Sequence, residues 1–199
     1  MPFIILDLFG VISSGSYKDT CSWVVNKYNL DYDQVYQVMY YKYLSNAALG
    51  MISEAEDYRL TAKVLGLKET GAELRKIYLS FQTLNKPILE MAKSWQEQGV
   101  KIVIFSKNTP QQFNEVVRTF HLREYFPHII NSYNLGIEKK SVKALRYLLT
   151  KFKAKAKETL MIDDQAYNFV NADKMGMTTI LYKNPGQLKK EVNSWLKGF

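Results

Sequence analysis

Three short apolar runs end in residues able to do chemistry. Phe3 to Leu6 stops at Asp7, Val100 to Phe105 at Ser106, and Leu160 to Ile162 at Asp163 and Asp164. Runs of this length, rich in β-branched residues, have the pattern of fully buried parallel strands. As neighbours, such strands would bring their polar ends to one edge of a sheet, facing one crevice. Carboxylates gathered there raise one another's pKa, and desolvation adds to the cost, so a positive charge must compensate them. A divalent cation or a lysine can supply it. The chain has 1 cysteine and 2 histidines, so the donors are acid oxygens, which favour a hard ion, Mg²⁺, over zinc. Lys139 and Lys140, which follow the turn residue Gly136, are both candidates for the lysine.

Two further runs complete the strand set, Thr178 to Tyr182 and the weaker His128-Ile129-Ile130. Segments with helical patterning lie between the strands. Pro87 to Gln98 has proline in its first turn and stops at Gly99, and Pro110 to Phe120 also opens on proline. Ser141 to Phe152 places Val142, Leu145, Leu148 and Leu149 at helical spacing, and Ala166 to Met175 stops at Gly176. The alternation predicts an α/β core, an open parallel sheet covered by helices.

Residues 16–84 do not alternate. They read as helices over Tyr17 to Tyr28, Asp33 to Ser45, Ser53 to Leu65 and Glu69 to Leu84. Ser53 with Glu56 is expected to form a capping box, and Gly66 suits a helix end. The core domain is therefore expected over 1–15 and 85–199, with 16–84 a helical cap inserted after the first strand. Such an insertion covers the crevice where open α/β sheets bind ligands. The series Tyr32, Tyr36, Tyr40, Tyr41 and Tyr43 reads chiefly as packing within the helical bundle, with a substrate-facing wall as the alternative.

Composition sets the outer bounds. With 199 residues, 47% of them apolar and 23% charged, the chain is one large domain or one domain with an insertion, and is not disordered. No run approaches the ~18 apolar residues of a membrane span, and Phe3 to Leu6 is too short for a signal peptide. Cys21, the single cysteine, excludes an internal disulfide framework and is compatible with a cytoplasmic location. It reads as a small packing residue, and His121 and His128 as structural or exposed. The net charge is +8, and Lys140 to Lys157 holds seven basic residues with no acid between them. That stretch reads as a solvated helix face and loop, with a surface attracting phosphorylated substrates as the functional alternative. Nucleic-acid binding is not expected, since no recognised binding module is present.

Four segments taken in order resemble the haloacid dehalogenase superfamily, a group of aspartate-nucleophile phosphatases and dehalogenases. The first is Phe3-Ile-Ile-Leu-Asp7-Leu-Phe-Gly10-Val11-Ile12, and the second Val103-Ile-Phe-Ser106-Lys-Asn108. The third is Leu135-Gly-Ile-Glu-Lys139, and the fourth Met161-Ile-Asp163-Asp164-Gln-Ala-Tyr-Asn168, continuing through Ala172 and Gly176-Met177. Leu49-Gly50-Met51-Ile52-Ser53 is similar to part of the small helical cap that one subfamily inserts after its first motif.

The resemblance implies a Mg²⁺-dependent phosphohydrolase acting on a small phosphorylated metabolite, as a monomer or homodimer. Asp7 would be the nucleophile, forming a covalent aspartyl intermediate. Ser106 would hydrogen-bond the transferring group, Lys139 would balance charge, and Asn108 and Lys107 would contact substrate. Asp7, Asp164 and the backbone carbonyl of Phe9 would hold Mg²⁺, with Asp163 and Asn168 supporting that shell.

Phe9 departs from the pattern of the family's phosphatases, which place a proton-donating aspartate two residues after the nucleophile. Loss of such a group costs on the order of 10²–10⁴ in rate. Dehalogenases of the family carry an aromatic residue there, work without metal and hold substrate with an arginine in or near the cap. Arg59, the only arginine in the first seventy residues, matches that context poorly. Lys107 replaces the asparagine that commonly follows the motif-two hydroxyl residue. A metal-independent hydrolase of the 2-haloacid type, and a catalytically degenerate member binding a phospho-ligand or partner, are therefore the alternatives.

Overall fold

Strand β1 (Phe3–Leu6) is buried along its whole length, and its side chains divide between two cores as the period of two requires. Ile4 and Leu6 join one cluster with Ile104 and Ile162, whereas Phe3 and Ile5 join another with Phe105 and Met161. The computed structural model describes residues 1–15 and 17–199. Beside β1 lie β4 (Lys101–Ser106) and β6 (Thr159–Asp163), with β5 (Ile129–Asn131) and β7 (Thr178–Leu181) outside them. The order β5-β4-β1-β6-β7 is parallel throughout. Leu6 pairs with both Ile104 and Ile162, so the strand ends that carry Asp7, Ser106 and Asp163 share one edge.

Helices α6 (Lys86–Glu97), α7 (Pro110–Thr119) and α10 (Pro185–Leu196) cover the first of these cores. Helix α8 (Val142–Phe152) and the short α9 (Val170–Lys174) cover the second. Between β2 (Ser13–Ser14) and β3 (Thr83–Leu84) the chain runs through α1 (Tyr17–Tyr28), α2 (Tyr32–Tyr36), α3 (Ser45–Ala48), α4 (Glu54–Leu65) and α5 (Gly71–Ser80). These helices bury a third core around Cys21, Met39, Tyr58, Leu74 and Tyr78. Among the described residues no helix is long and apolar enough to cross a membrane.

Several local expectations need correction. The segment Asp33 to Ser45 is not uniform α-helix: Gln37–Leu44 is π-helical, which turns its tyrosines relative to an α-helical stripe. Glu69 to Leu84 is not one helix. It starts at Gly71 behind a Thr70–Glu73 capping box and ends at Ser80, after which β3 pairs antiparallel with β2. The box expected at Ser53 is half formed, because Ser53 accepts from the Glu56 N–H while the Glu56 carboxylate turns to Arg59. Helix α7 is capped by Thr109. Ala166 to Met175 divides into a 3₁₀ turn and α9. Helix α10 was not among the expected elements.

At two of the positive-φ glycines nothing larger fits. A Cβ on Gly15, at φ +84, would lie 1.8 Å from the Phe81 carbonyl oxygen, where α5 leads back to the core. On Gly10, at φ +91, it would lie 2.6 Å from the Asp164 carboxyl carbon. The loop after β1 therefore passes directly against Asp164.

Candidate active site

Lys139 is where the strand ends meet. Its Nζ is 2.6 Å from Asp7 Oδ1 and 2.6 Å from Asp163 Oδ2, and all three side chains are buried. Lys140 points elsewhere and pairs with Glu138 at 3.4 Å, so the choice between the two lysines falls on Lys139. Asp163 is enclosed by further donors: the Gln165 N–H reaches Oδ1 at 2.8 Å, and Asn168 Nδ2 donates to both oxygens at 2.9 Å. That full set of partners makes Asp163 a holder of its neighbours rather than an open ligand. Asp164 is more exposed and accepts from Lys18 at 3.2 Å and from Gln165 Nε2 at 2.9 Å.

Asp7, Asp163 and Asp164 each offer an oxygen within 4.8 Å of the others. Burial pushes the Asp7 carboxyl up to about 8, with Asp163 and Asp164 adding to the rise and Lys139 opposing it. Burial raises Asp164 as well. The cluster is thus short of positive charge even with Lys139 in place, as expected of acids built around a cation. The Phe9 carbonyl is passed over by the loop's hydrogen bonds: Ser13 N–H donates to the Leu8 carbonyl, and Gly10 N–H to the Ser13 carbonyl. The clustered carboxylates of Asp7, Asp163 and Asp164 are hard-oxygen donors of the type that suits Mg²⁺.

Ser106 is fully buried, and among the described residues its hydroxyl has no hydrogen-bond partner. Such an orphan needs an explanation, and a substrate oxygen reaching the end of β4, which Ser106 closes without lining the cleft itself, would supply one. Asn108 lines the cleft, with its side-chain oxygen accepting from the Thr109 N–H at 2.7 Å. Lys107 lines it too, with Nζ 5.5 Å from the Tyr40 ring centre and 5.8 Å from that of Tyr167. Phe9 forms part of the wall. Arg59 lies on the surface, paired with Glu56, and no arginine is among the described residues lining the cleft.

The cleft's outer wall bears out in part the alternative reading of the tyrosine series. Tyr36 and Tyr40 stack at 5.0 Å and line the cleft, and the Tyr40 hydroxyl meets that of Tyr167 at 2.6 Å across to the core. The tyrosine series is thus part packing, with Tyr43 buried, and part wall. Its spacing carried both readings. Lys18 and Tyr17 also line the cleft, and nothing local in their sequence surroundings marks them.

A second polar network ties the helical insertion to the core. The Glu54 carboxylate accepts from Arg75, from the Thr109 hydroxyl and, at 3.1 Å, from the Gln112 N–H. Beside it Asp57 is buried and accepts from Tyr17 at 3.3 Å and Thr61 at 3.4 Å. Burial pushes Asp57 up to about 7, against the pull of those two hydroxyls. The folded protein therefore holds this proton more tightly than the unfolded chain, whose aspartate titrates near ~3.9. Stability from this group is present at low pH and falls as pH rises from about 4 to about 7, by on the order of 4 kcal/mol in total. Asp57→Asn removes that loss. The gap between variant and wild type in urea midpoint, measured in chelator, is expected to widen in the variant's favour from pH 5 to pH 8. Parallel curves would contradict a buried, proton-holding Asp57.

An open parallel sheet with a lysine-bridged acid cluster at its strand ends, under a helical insertion, defines an α/β protein built for chemistry at a carboxylate. Comparison gives the family: residues 3–168 match the haloacid dehalogenase-like hydrolases, and the chain belongs to that family. It is 26% identical over 145 residues to bifunctional epoxide hydrolase 2 of Mus musculus, covering 69% of this chain and 26% of that protein. It is 28% identical over 89 residues to a glyceraldehyde 3-phosphate phosphatase of Pyrococcus abyssi (strain GE5 / Orsay), covering 44% of this chain and 37% of the relative. The chain thus spans well under half the length of either curated relative. Among solved structures it resembles a haloacid dehalogenase family enzyme of Bacteroides thetaiotaomicron in complex with magnesium and inorganic phosphate. The TM-score is 0.70 at 19% identity, covering 92% of this chain and 94% of the other.

Proposed function

We propose that this hydrolase is a Mg²⁺-dependent phosphatase of small phosphorylated metabolites, working through an aspartyl-phosphate on Asp7. The observation that carries the reading is the pairing of Lys139 with both Asp7 and Asp163 beside Asp164, an acid cluster still short of positive charge. Asp7, Asp164 and the Phe9 carbonyl would hold Mg²⁺, which when bound neutralises phosphoryl charge and fixes the geometry of in-line attack. An Asp7 carboxylate oxygen attacks phosphorus, and the bond to the leaving oxygen breaks with its electron pair staying on that oxygen. Water then attacks the aspartyl-phosphate, restoring the carboxylate and releasing inorganic phosphate. Lys139 balances charge on Asp7 and the phosphoryl oxygens, while the Ser106 hydroxyl donates to one of those oxygens. The enclosed part of the cleft, ≈ 50 Å³, has room for a few water-sized groups, which suits a phosphoryl group on a short chain.

Phosphatase activity in the Pyrococcus relative and the magnesium and phosphate bound by the Bacteroides enzyme support the reading. The test is phosphate release from a panel of aryl and alkyl monoesters, with Mg²⁺ and with chelator. Release that chelator abolishes supports the proposal, and none from any ester overturns it.

Phe9 limits what the site does well. A phenylalanine cannot protonate the departing oxygen, so esters with good leaving groups react faster than alkyl ones. Phe9→Asp is expected to raise kcat on alkyl phosphates at least about 10-fold, short of the ~10²–10⁴ that a well-positioned acid supplies, with a smaller change on aryl esters. An unchanged alkyl rate in the folded variant would count against this account.

A further inference from the structure

Of the described lysines lining the cleft, Lys139 serves the phosphoryl chemistry described above and Lys18 pairs with Asp164, which leaves Lys107. Lys107 follows Ser106 directly at the end of β4, and its ammonium reaches toward the helical insertion, 5.5 Å from the Tyr40 ring centre. Among the described residues Lys107 has no carboxylate partner. The cleft acids near it are engaged elsewhere, Asp163 by Lys139 and Asn168, and Asp164 by Lys18 and Gln165. Glu138 pairs with Lys140. Burial, together with Lys139 and Lys140, lowers the Lys107 pKa, which marks an ammonium in need of an anion.

What surrounds it completes a site. Tyr40, from the π-helical segment, and Tyr167, from the loop after β6, present their rings on Lys107 and share one hydrogen bond between hydroxyls. Two hydroxyls have two protons, and one hydrogen bond uses one of them. The second O–H has no acceptor among the described residues. An ammonium and a spare O–H donor therefore lie together in the same cleft as Asp7.

We infer that Lys107 and the Tyr40–Tyr167 pair bind an anionic group, of carboxylate type, on the leaving portion of the substrate. This rests on the phosphatase reading above and narrows it to phosphate esters of short hydroxy acids. The group enters as the anion the site lacks, while the phosphoryl end sits at Asp7 and Ser106. Because Tyr40 comes from the insertion and Lys107 and Tyr167 from the core, the bound anion also bridges the two.

The test compares the phosphate monoesters of glycolate and 3-hydroxypropanoate with those of ethylene glycol and 1,3-propanediol, which replace the carboxylate by a neutral alcohol. Wild-type protein is expected to favour the carboxylate esters by roughly 10- to 100-fold in kcat/KM, the range of a charge-assisted hydrogen bond. In Lys107→Met the ratio of the two classes falls toward one, and Lys107→Arg restores part of it. Removing an unpaired, half-buried charge leaves Tm equal or higher, so the variant folds. A wild-type ratio near one overturns the inference. So does an equal loss on both classes in Lys107→Met, which would place the lysine on the phosphoryl group instead. If no ester turns over, calorimetric titration of the carboxylate esters separates the two claims. Binding that Lys107→Met weakens at least 10-fold upholds the anion subsite while the phosphatase reading falls, and absence of binding to wild type overturns the subsite.

Discussion

Asp7→Asn is expected to slow phosphate release from an aryl monoester by at least about 10⁴-fold, the scale on which a covalent nucleophile is lost. The amide has no anionic oxygen to attack phosphorus, so the covalent step is removed rather than slowed. The fold is expected to survive. Burial works against a charge on Asp7, so in chelator a neutral amide of the same shape is tolerated there. The asparagine oxygen still accepts from the Leu8 N–H, which donates to Asp7 Oδ1 at 2.8 Å, and Lys139 keeps its contact with Asp163. Thermal midpoints in chelator therefore match or exceed wild type, whereas the stabilisation wild type gains from added Mg²⁺ shrinks, because one of its ligands is gone. A folded variant retaining a tenth or more of the activity would remove Asp7 from the nucleophile's role.

The parts of this site legible in the sequence are those that a strand's own pattern announces. Phe3 to Leu6, Ile102 to Phe105 and Leu160 to Ile162 are apolar because both sheet faces are covered, and the first polar residue after each run marks the edge of the sheet. Asp7, Ser106 and Asp163 followed from that alone, and Lys139 needed only the choice against Lys140. The outer wall is a different case. Tyr40 and Tyr167 are 127 positions apart, and no local periodicity encodes a contact of that range. The π-helical turn that aims Tyr40 inward has no composition signal either. Glu54, Thr109 and Gln112 were hidden in the same way, since each looks like an ordinary helix-start residue until the insertion folds back on α7. Helix α10 is the miss that the chain did advertise: Asn184 caps it, Pro185 opens it, and Leu188 and Val192 stand four apart on its buried side.

The largest effect on stability is expected from Lys139→Met. The ammonium is 2.6 Å from Asp7 and 2.6 Å from Asp163. Burial works against its charge, and the two carboxylates hold its pKa above the ordinary lysine value all the same. Removing one partner of a buried ion cluster leaves charge with no compensation, which costs about 3–5 kcal/mol. For a chain of this size that lowers Tm by roughly 10 °C. Asp163 tolerates the loss better, since Asn168 and the Gln165 N–H still donate to it, so most of the cost falls on Asp7. Two consequences separate this from a generic packing defect. Asp7→Asn placed on top of Lys139→Met should recover stability rather than lose more, a coupling that only a shared charge produces. Mg²⁺ should raise the Tm of Lys139→Met more than it raises wild type, because the cation replaces the missing positive charge. Lys140→Met, one residue along and paired at the surface with Glu138, should change stability by no more than about 0.5 kcal/mol. A Lys139→Met protein within about 1 kcal/mol of wild type would mean that the acid cluster does not depend on this lysine.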